Sequence, residues 1–158
     1  MNHSQVIINR FRDLGVEIKD LAEILYDLQS PYFDDLEIDY CKKQIFAVLE
    51  KREVQHAVLT GLEIDRLVDE QQFKEPIQSI IETDDPLYGV DEILALSITN
   101  VFGTISLTNF GYLDKVKPKI IGELDQKKEG SRVATMLDDL LCAIISSAAS
   151  RMAHAQRN

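Results

Sequence analysis

The stretch LDDLLCAIISSAASRMA, from Leu137 to Ala153, decides the fold class. Its apolar residues recur with helical spacing and predict a last helix that runs from about Val133 to Ala153. All nine residues from Cys142 to Ser150 are Cys, Ala, Ile or Ser. Because so many small side chains let neighbouring helices approach closely, we expect this helix to lie at the centre of a helical bundle.

The rest of the chain also follows the helical period. This spacing predicts further helices over residues 6–14, 18–28, 38–49, 54–68, 76–81 and 86–100. Residues 102–109 are rich in Gly, Ser and Thr and receive no helix, and residues 127–131 are predicted to form a polar loop. No alternating apolar pattern is long enough for a strand. We therefore predict that residues 1–158 form a single all-α domain, a multihelical bundle.

The composition excludes several classes of protein. The chain has 158 residues, with 17 Lys and Arg against 27 Asp and Glu, and a net charge of −10. Nucleic-acid binding is not expected, because that affinity depends on basic residues that neutralise phosphates. Cys41 and Cys142 form neither a disulfide framework nor a metal-type spacing. No apolar run approaches the ~20 residues that span a bilayer, and the N-terminus lacks a signal-peptide pattern. We expect a cytoplasmic protein.

Two adjacent acidic pairs begin two of the least polar predicted helices. Asp91 and Glu92 open one, Asp138 and Asp139 open the other, and Asp91 and Asp138 fall on the apolar stripes of their helices. A buried carboxylate is costly unless it is paired or binds a metal ion, and oxygen ligands suit Mg²⁺. The pairs therefore predict a metal site. The alternative, equally open at this stage, is that they only complement the helix macrodipole, as Asp84 would before its helix.

A cationic segment accompanies the acidic pairs. Residues 111–135 contain six basic and four acidic side chains, a net charge of +2, whereas the rest of the chain carries −12. A cation and a lysine beside an acidic cluster would neutralise the phosphoryl charge in a metal-dependent phosphatase. Lys117 is the strongest candidate, since Pro118 restrains its backbone. Asn109, near Gly111, marks a second place where the chain could approach a ligand. The alternative is a solvated loop and helix face.

Three motifs resemble those of the phosphatidylglycerophosphatase A family. In order, they are Asp84 followed by VDE at 90–92, DKVKP at 114–118 and LDD at 137–139. This resemblance covers about residues 83–150. LYGVDE (87–92), LTNFGYLDK (107–115) and MLDD (136–139) are similar to the small soluble branch of that family in Gram-positive bacteria, the YutG-like proteins, and KREVQHAVLTG (51–61) extends this similarity over most of the chain.

The resemblance implies an all-α, Mg²⁺-dependent hydrolase that removes the terminal phosphate of phosphatidylglycerophosphate to give phosphatidylglycerol. It implies an acidic metal site with a lysine that holds the phosphate. The motifs leave open which carboxylate binds the metal and which activates water. We take as candidate catalytic residues Asp91, Glu92, Asp114 and Lys117. Candidate substrate-binding residues are Lys117 and Asn109. Candidate metal ligands are Asp84, Asp91, Glu92, Asp138 and Asp139.

The chain departs from the membrane members of the family, because it lacks their hydrophobic spans and their N-terminal motif with glycine and proline. The expected partner is a phosphorylated lipid or a small phosphate ester. The basic segment from Lys115 to Arg132 would orient the protein peripherally at the inner face of the membrane, since each basic residue near an anionic surface contributes about 1 kcal/mol.

Two other functions fit parts of the pattern. A helical nucleotide pyrophosphohydrolase also binds Mg²⁺ through acidic residues on helices, but usually with Glu-x-x-Glu spacing. A non-enzymatic helical interaction or assembly protein would use the acidic pairs as helix caps or interface charges. Because the N-terminal half is apolar enough to cover a second subunit, we also expect a homo-oligomer.

Overall fold

The computed structural model describes residues 2–126 and 132–156 of the chain. These residues form nine α-helices and one short 3₁₀ helix, and none of them lies in a strand, so the predicted all-α class is confirmed. The helices are α1 (His3–Asp13), α2 (Ile18–Gln29), the 3₁₀ helix (Ser30–Tyr32), α3 (Ile38–Leu49), α4 (Arg52–Asp69), α5 (Ile77–Glu82), α6 (Val90–Phe102), α7 (Thr104–Val116), α8 (Ile120–Asp125) and α9 (Leu137–Ala155).

Helix α9 is the centre of the bundle, as its small residues predicted. Every residue from Leu137 to Ser150 is buried, and so is Met152. Six helices pack around it, namely α2, α3, α4, α6, α7 and α8. One hydrophobic core includes side chains from all of the described α-helices except α5. The polar residues of this buried stretch are mostly serines, and serine can donate its hydroxyl within a helix or to a neighbour.

Close packing of α9 depends on small residues at the helix contacts. A Cβ atom added to Gly61 of α4 would lie 2.6 Å from Leu140 Cδ1 and 3.0 Å from Leu94 Cδ2, so glycine lets α4 approach both α9 and α6. On the other side, the hydroxyls of Ser106 in α7 and Ser147 in α9 lie 3.1 Å apart and share a hydrogen bond. The smallness of these side chains therefore sets the distance of α9 from its neighbours.

Two predicted helix starts lie four residues before the starts in the structure. Helix α6 begins at Val90 rather than at Pro86, because Leu87 and Gly89 have positive φ angles of 69° and 72° and break the helical path. Helix α9 begins at Leu137 rather than at Val133. Its start is fixed by Asp65, which accepts hydrogen bonds from the backbone amides of Met136 and Leu137.

Two helices of the structure were not predicted, and one predicted loop falls outside the residues that the structure describes. Helix α7 spans Thr104–Val116 although its first half is rich in Ser and Thr, because Ser106, Phe110 and Leu113 are buried and α7 packs extensively on α9. Tertiary packing outweighs weak helix propensity here. Helix α8 spans Ile120–Asp125 and buries Ile121. The predicted polar loop at 127–131 lies outside the described residues. Among the described residues, no helix is both long and apolar enough to cross a bilayer.

Candidate functional site

The site begins with the N-terminus of α9, which a buried aspartate of α4 holds in place. Asp65 accepts hydrogen bonds from the backbone amide of Met136 at 3.0 Å and of Leu137 at 3.0 Å. Its exposed fraction is 5%. A carboxylate at a helix N-terminus satisfies amides that have no partner within the helix and complements the helix dipole. Asp65 thereby fixes the first turn of α9, where Asp138 and Asp139 lie.

Asp138 and Asp139 are both buried in this first turn, with exposed fractions of 7% and 4%. They face the core because α9 is buried on all its faces from Leu137 to Ser150 and has no solvent side there. Burial disfavours the ionised form of a carboxyl group, so both groups need partners or protons. Their neighbours come from α6, α7 and the segment that follows α7.

Asp139 is surrounded by other carboxyl groups. Its side chain hydrogen-bonds to Asp91 at the start of α6 and to Asp114 in the last turn of α7. Burial, the charge of Asp138 and these two hydrogen bonds all raise the pKa of Asp139 far above its ordinary value. Two carboxylates can hydrogen-bond directly only if a proton lies between them. Without a bound metal ion, this arrangement therefore favours the protonated form of Asp139.

Lys117 is the cation of the cluster. Its Nζ lies 3.3 Å from Asp114 Oδ1, 3.5 Å from Asp138 Oδ2 and 3.7 Å from Asp125 Oδ1. The exposed fraction of its side chain is 30%. Burial acts to lower the pKa of Lys117, but the charges of Asp138, Asp114 and Asp125 outweigh this effect and raise it above the ordinary value. Lys117 is thus positively charged throughout the physiological range of pH.

The backbone around Lys117 directs its side chain into the cluster. Lys117 ends α7 with a left-handed conformation, φ 49° and ψ 60°. A Cβ atom on Gly122 would lie only 2.5 Å from the carbonyl oxygen of Lys117, so the close approach of α8 requires glycine at that position. The left-handed turn and this approach together bring Lys117 back towards the start of α9.

Asp138 is the second perturbed acid. Burial raises its pKa to about 7, and the charge of Lys117 partly opposes that increase. Asp125 and Asp84 also lie close enough for their charges to raise the pKa of Asp138. Asp84 is exposed, in the turn before α6, and has a positive φ of 50°. Six of the eight candidate residues therefore lie together at the start of α9. Five of them form the cluster, namely Asp91, Asp114, Lys117, Asp138 and Asp139, and Asp84 lies at its margin.

Two candidate residues lie apart from this cluster. Glu92 has an exposed side chain, and its described contact is the backbone amide, which donates to Asp91 Oδ1 at 2.9 Å. Asn109 lies on α7 and lines a groove of about 460 Å³ between α2 and α7, together with Tyr32 and Tyr112. Glu92 was selected because it follows Asp91 in the sequence, and Asn109 because it lies near Gly111. The side chains of both residues are not among the described contacts of the buried aspartates.

Two residues of the cluster were missed in the sequence. Asp65 lies one turn after Gly61 and three residues before the buried Val68, on the apolar face of α4, so its position was a detectable signal. Asp125 reaches Lys117 from α8. Its contribution depends on the chain reversal between α7 and α8, which no local pattern predicts.

The donor set suits a hard divalent cation, because the carboxyl groups that meet here offer oxygen ligands. Among residues 2–126 and 132–156, however, no three His, Cys, Asp or Glu side chains are already arranged around a point that could hold a metal ion. The carboxyl groups contact one another and Lys117 instead. A cation would have to replace the protons between them, which is the usual coupling between metal binding and deprotonation.

Known proteins with similar sequences and structures share nearly the whole chain. YutG of Bacillus subtilis is 48% identical over 149 residues, which cover 94% of this chain and 89% of that protein. YpjQ of the same organism is 50% identical over 144 residues, covering 91% and 80%. Both are described as uncharacterized proteins. The crystal structure of the low temperature requirement C protein from Listeria monocytogenes aligns with a TM-score of 0.94 and 46% identity, covering 100% of this chain and 99% of that one.

A second solved structure and a family profile also match most of the chain. A structure of a protein of unknown function from Bacillus stearothermophilus aligns with a TM-score of 0.92 and 46% identity over 96% of this chain and 94% of that one. The profile of phosphatidylglycerophosphatase A matches residues 15–154, which include the Asp65 cap, the aspartate cluster and Lys117. The chain therefore belongs to the phosphatidylglycerophosphatase A family.

Proposed function

We propose that this protein is a Mg²⁺-dependent phosphatase that hydrolyses a phosphate monoester, either phosphatidylglycerophosphate or a soluble analogue. Membership in the family implies phosphatase activity at the level of the family. The observation that carries the proposal for this chain is the meeting of Lys117 Nζ with Asp114 and Asp138, at 3.3 and 3.5 Å, beside the buried Asp139. A permanent cation next to two buried and two half-buried acids is a suitable place for a phosphate and a divalent ion together.

The metal ligands we propose are the acids of this cluster. Asp138 and Asp139 come from the start of α9, Asp91 from the start of α6, and Asp114 from the end of α7. Asp84 lies at the margin, where its charge reaches Asp138. When bound, the ion would supply neutralisation of phosphoryl oxygens and a lower pKa for water. It would also offset the cost of holding two buried and two half-buried carboxyl groups side by side.

Lys117 and Asp65 have different parts in this proposal. Lys117 binds the phosphoryl group electrostatically and stabilises the charge that the oxygens develop as the ester bond breaks. Asp65 touches no substrate and is a positioning residue, because it holds the turn of α9 that carries both buried acids. No serine or cysteine is needed as a covalent nucleophile.

The first test measures orthophosphate release with Mg²⁺ or with EDTA. Phosphatidylglycerophosphate in detergent micelles and glycerol 3-phosphate serve as lipid and soluble substrates. We expect Mg²⁺-dependent release that falls by about a hundredfold or more in Asp138→Asn, since loss of even an outer partner of a metal site costs 10–100-fold. The matched control is Asp85→Asn, an exposed carboxylate in the turn before α6. Equal activity of Asp138→Asn and wild type would refute the mechanism.

The second test separates Lys117 from its neighbour. Lys119 also has a positive φ, but its Nζ pairs with Asp27 at 2.7 Å on the other side of the segment. Lys117→Gln should lower orthophosphate release by about a hundredfold, the usual effect of removing one group that stabilises transition-state charge. Lys119→Gln should leave the rate near that of wild type. Equal losses in both variants would show that only general charge matters.

The same preparation decides between reaction types. With nucleoside triphosphates as substrates, a nucleotide pyrophosphohydrolase would release pyrophosphate, whereas the proposed enzyme releases only orthophosphate from monoesters. Pyrophosphate release that depends on Asp138 would replace the proposal with that alternative. Absence of any Mg²⁺-dependent product from either substrate class would favour the interaction protein.

A further inference from the structure

A second polar cavity lies at the opposite end of α9 from the aspartate cluster. Its volume is about 340 Å³, which is within the usual size range of small-ligand sites. Three parts of the fold line it and leave it open to solvent: the turn between α3 and α4, the end of α6 and the last two turns of α9. The lining residues are Lys51, Val101, Phe102, Ser150, Arg151 and His154.

The charge of this cavity is opposite to that of the whole protein. Lys51, Arg151 and His154 line it, and none of the described acidic residues does, although the chain as a whole carries −10. None of these three residues takes part in the ion pairs of the described residues. Like charges gathered without a counter-ion repel one another, so the arrangement favours an anion between them.

The nearby polar groups leave the cations available. Glu50, next to Lys51 in the sequence, is bound to the hydroxyl of Ser4 at 2.6 Å. Arg151 donates one hydrogen bond through Nε to Gln44 at 3.3 Å, which leaves its terminal nitrogens for other acceptors. The hydroxyl of Ser150 is used within the fold, because it donates to the carbonyl of Phe102 at 2.9 Å.

The backbone adds to the positive potential. Lys51 precedes α4, an 18-residue helix whose N-terminus has no side-chain cap. The amides at such an end carry a partial positive charge. The cavity is also separate from the aspartate cluster, because Arg151 lies 13 positions after Asp138, which corresponds to ~20 Å along α9. One small substrate cannot occupy both places.

We propose that this cavity, which we call the basic cavity, binds a phosphate group that is distinct from the substrate of the aspartate cluster. Two permanent cations and an imidazole, with Lys51 from the turn before α4 and Arg151 and His154 from α9, match a multiply charged oxyanion better than a single carboxylate. The phosphate is either free or part of a lipid headgroup. In the second case the basic cavity would hold the protein to an anionic surface. The proposal does not depend on the phosphatase activity.

The test is an amide NMR titration of the full chain with inorganic phosphate, in EDTA and at constant ionic strength. Sodium chloride at equal ionic strength is the control for screening. We expect saturable shifts confined to residues 51–54, 101–103 and 150–154. The double variant Lys51→Gln with Arg151→Gln should bind phosphate about tenfold more weakly. Each lost charge is expected to weaken binding by about threefold, and the two effects multiply. Shifts confined to residues 114–117 and 138–139 would overturn the proposal.

The matched control is Lys74→Gln, which removes a positive charge near the opposite end of α4. It should leave phosphate binding at the basic cavity unchanged, and an equal loss in Lys74→Gln and the double variant would overturn the proposal.

Sedimentation with phosphatidylcholine vesicles, with and without phosphatidylglycerol, then identifies whether the phosphate is free or part of a lipid headgroup. Binding to the anionic vesicles that is lost in the double variant indicates a headgroup. Phosphate binding without vesicle binding indicates a free phosphate. Binding to neither overturns the proposal.

Discussion

Replacement of Asp65 by alanine removes the side chain that holds the first turn of α9. Two backbone amides, of Met136 and Leu137, lose the acceptor that lies 3.0 Å from each. Both hydrogen bonds are buried, and a buried N–H group without a partner costs about 1–3 kcal/mol. Loss of a carboxylate from a helix N-terminus adds up to ~2 kcal/mol. We expect the free energy of unfolding to fall by about 3–4 kcal/mol, a large part of the ~5–15 kcal/mol of a typical domain.

The assay is urea unfolding followed by far-UV circular dichroism, with the slope of the transition compared between variants. Asp69→Ala is the matched control, since Asp69 lies one turn further along α4 and accepts a hydrogen bond from the Val133 amide at 3.3 Å, but is exposed. Its loss should cost less than about 1 kcal/mol. Equal destabilisation by Asp65→Ala and Asp69→Ala would refute the reasoning that burial of the Asp65 contacts sets their value.

Three further predictions concern packing, thiol chemistry and the metal. Gly61→Ala should lower the free energy of unfolding by about 1–2 kcal/mol in urea, because its Cβ would crowd two leucines, whereas Gly111→Ala, with nothing within 4 Å, should raise it by up to ~1 kcal/mol. The result to be checked is that the free energy of unfolding changes in opposite directions in Gly61→Ala and Gly111→Ala. Burial raises the pKa of Cys41 to about 11 and that of Cys142 further, so a thiol reagent should modify both more than about a hundredfold faster in denaturant. Fast modification of the native protein would contradict this. Millimolar Mg²⁺ should raise the melting temperature of wild type but not of Asp139→Asn, and an equal increase in both would place the ion elsewhere.

The fold was largely predictable because helical spacing is a local signal. Helices α2 to α5 and the central position of α9 follow from apolar spacing and small residues. Helix α7 was not predictable in this way, because Thr104 to Thr108 has weak helix propensity and is held helical by packing on α9. The start of α9 was displaced by a contact 71 residues distant in the chain, the Asp65 hydrogen bond to Met136. Local patterns contain no information about such a contact.

The candidate site was predictable to the extent that burial conflicts with charge. Asp138 and Asp139 stand out because they interrupt an apolar helix, and both are buried. Glu92 has the same type of neighbour in the sequence as Asp91, yet the helical rotation of 100° per residue turns its side chain to solvent. Asp125 is the opposite case, since its sequence surroundings are polar and only the left-handed turn at Lys117 brings it near the cluster.

The enclosure of α9 has a consequence for the order in which the molecule can assemble. Every helix that packs against α9 is synthesised before it, since α2, α3, α4, α6, α7 and α8 all precede Leu137. On the ribosome these segments can form local turns and pair with one another, but their shared apolar partner does not yet exist. Vectorial synthesis therefore delays cooperative folding until about residue 155 has emerged. A pause in translation just before Leu137 would leave an incomplete bundle with exposed apolar surface, the kind of species that chaperones bind.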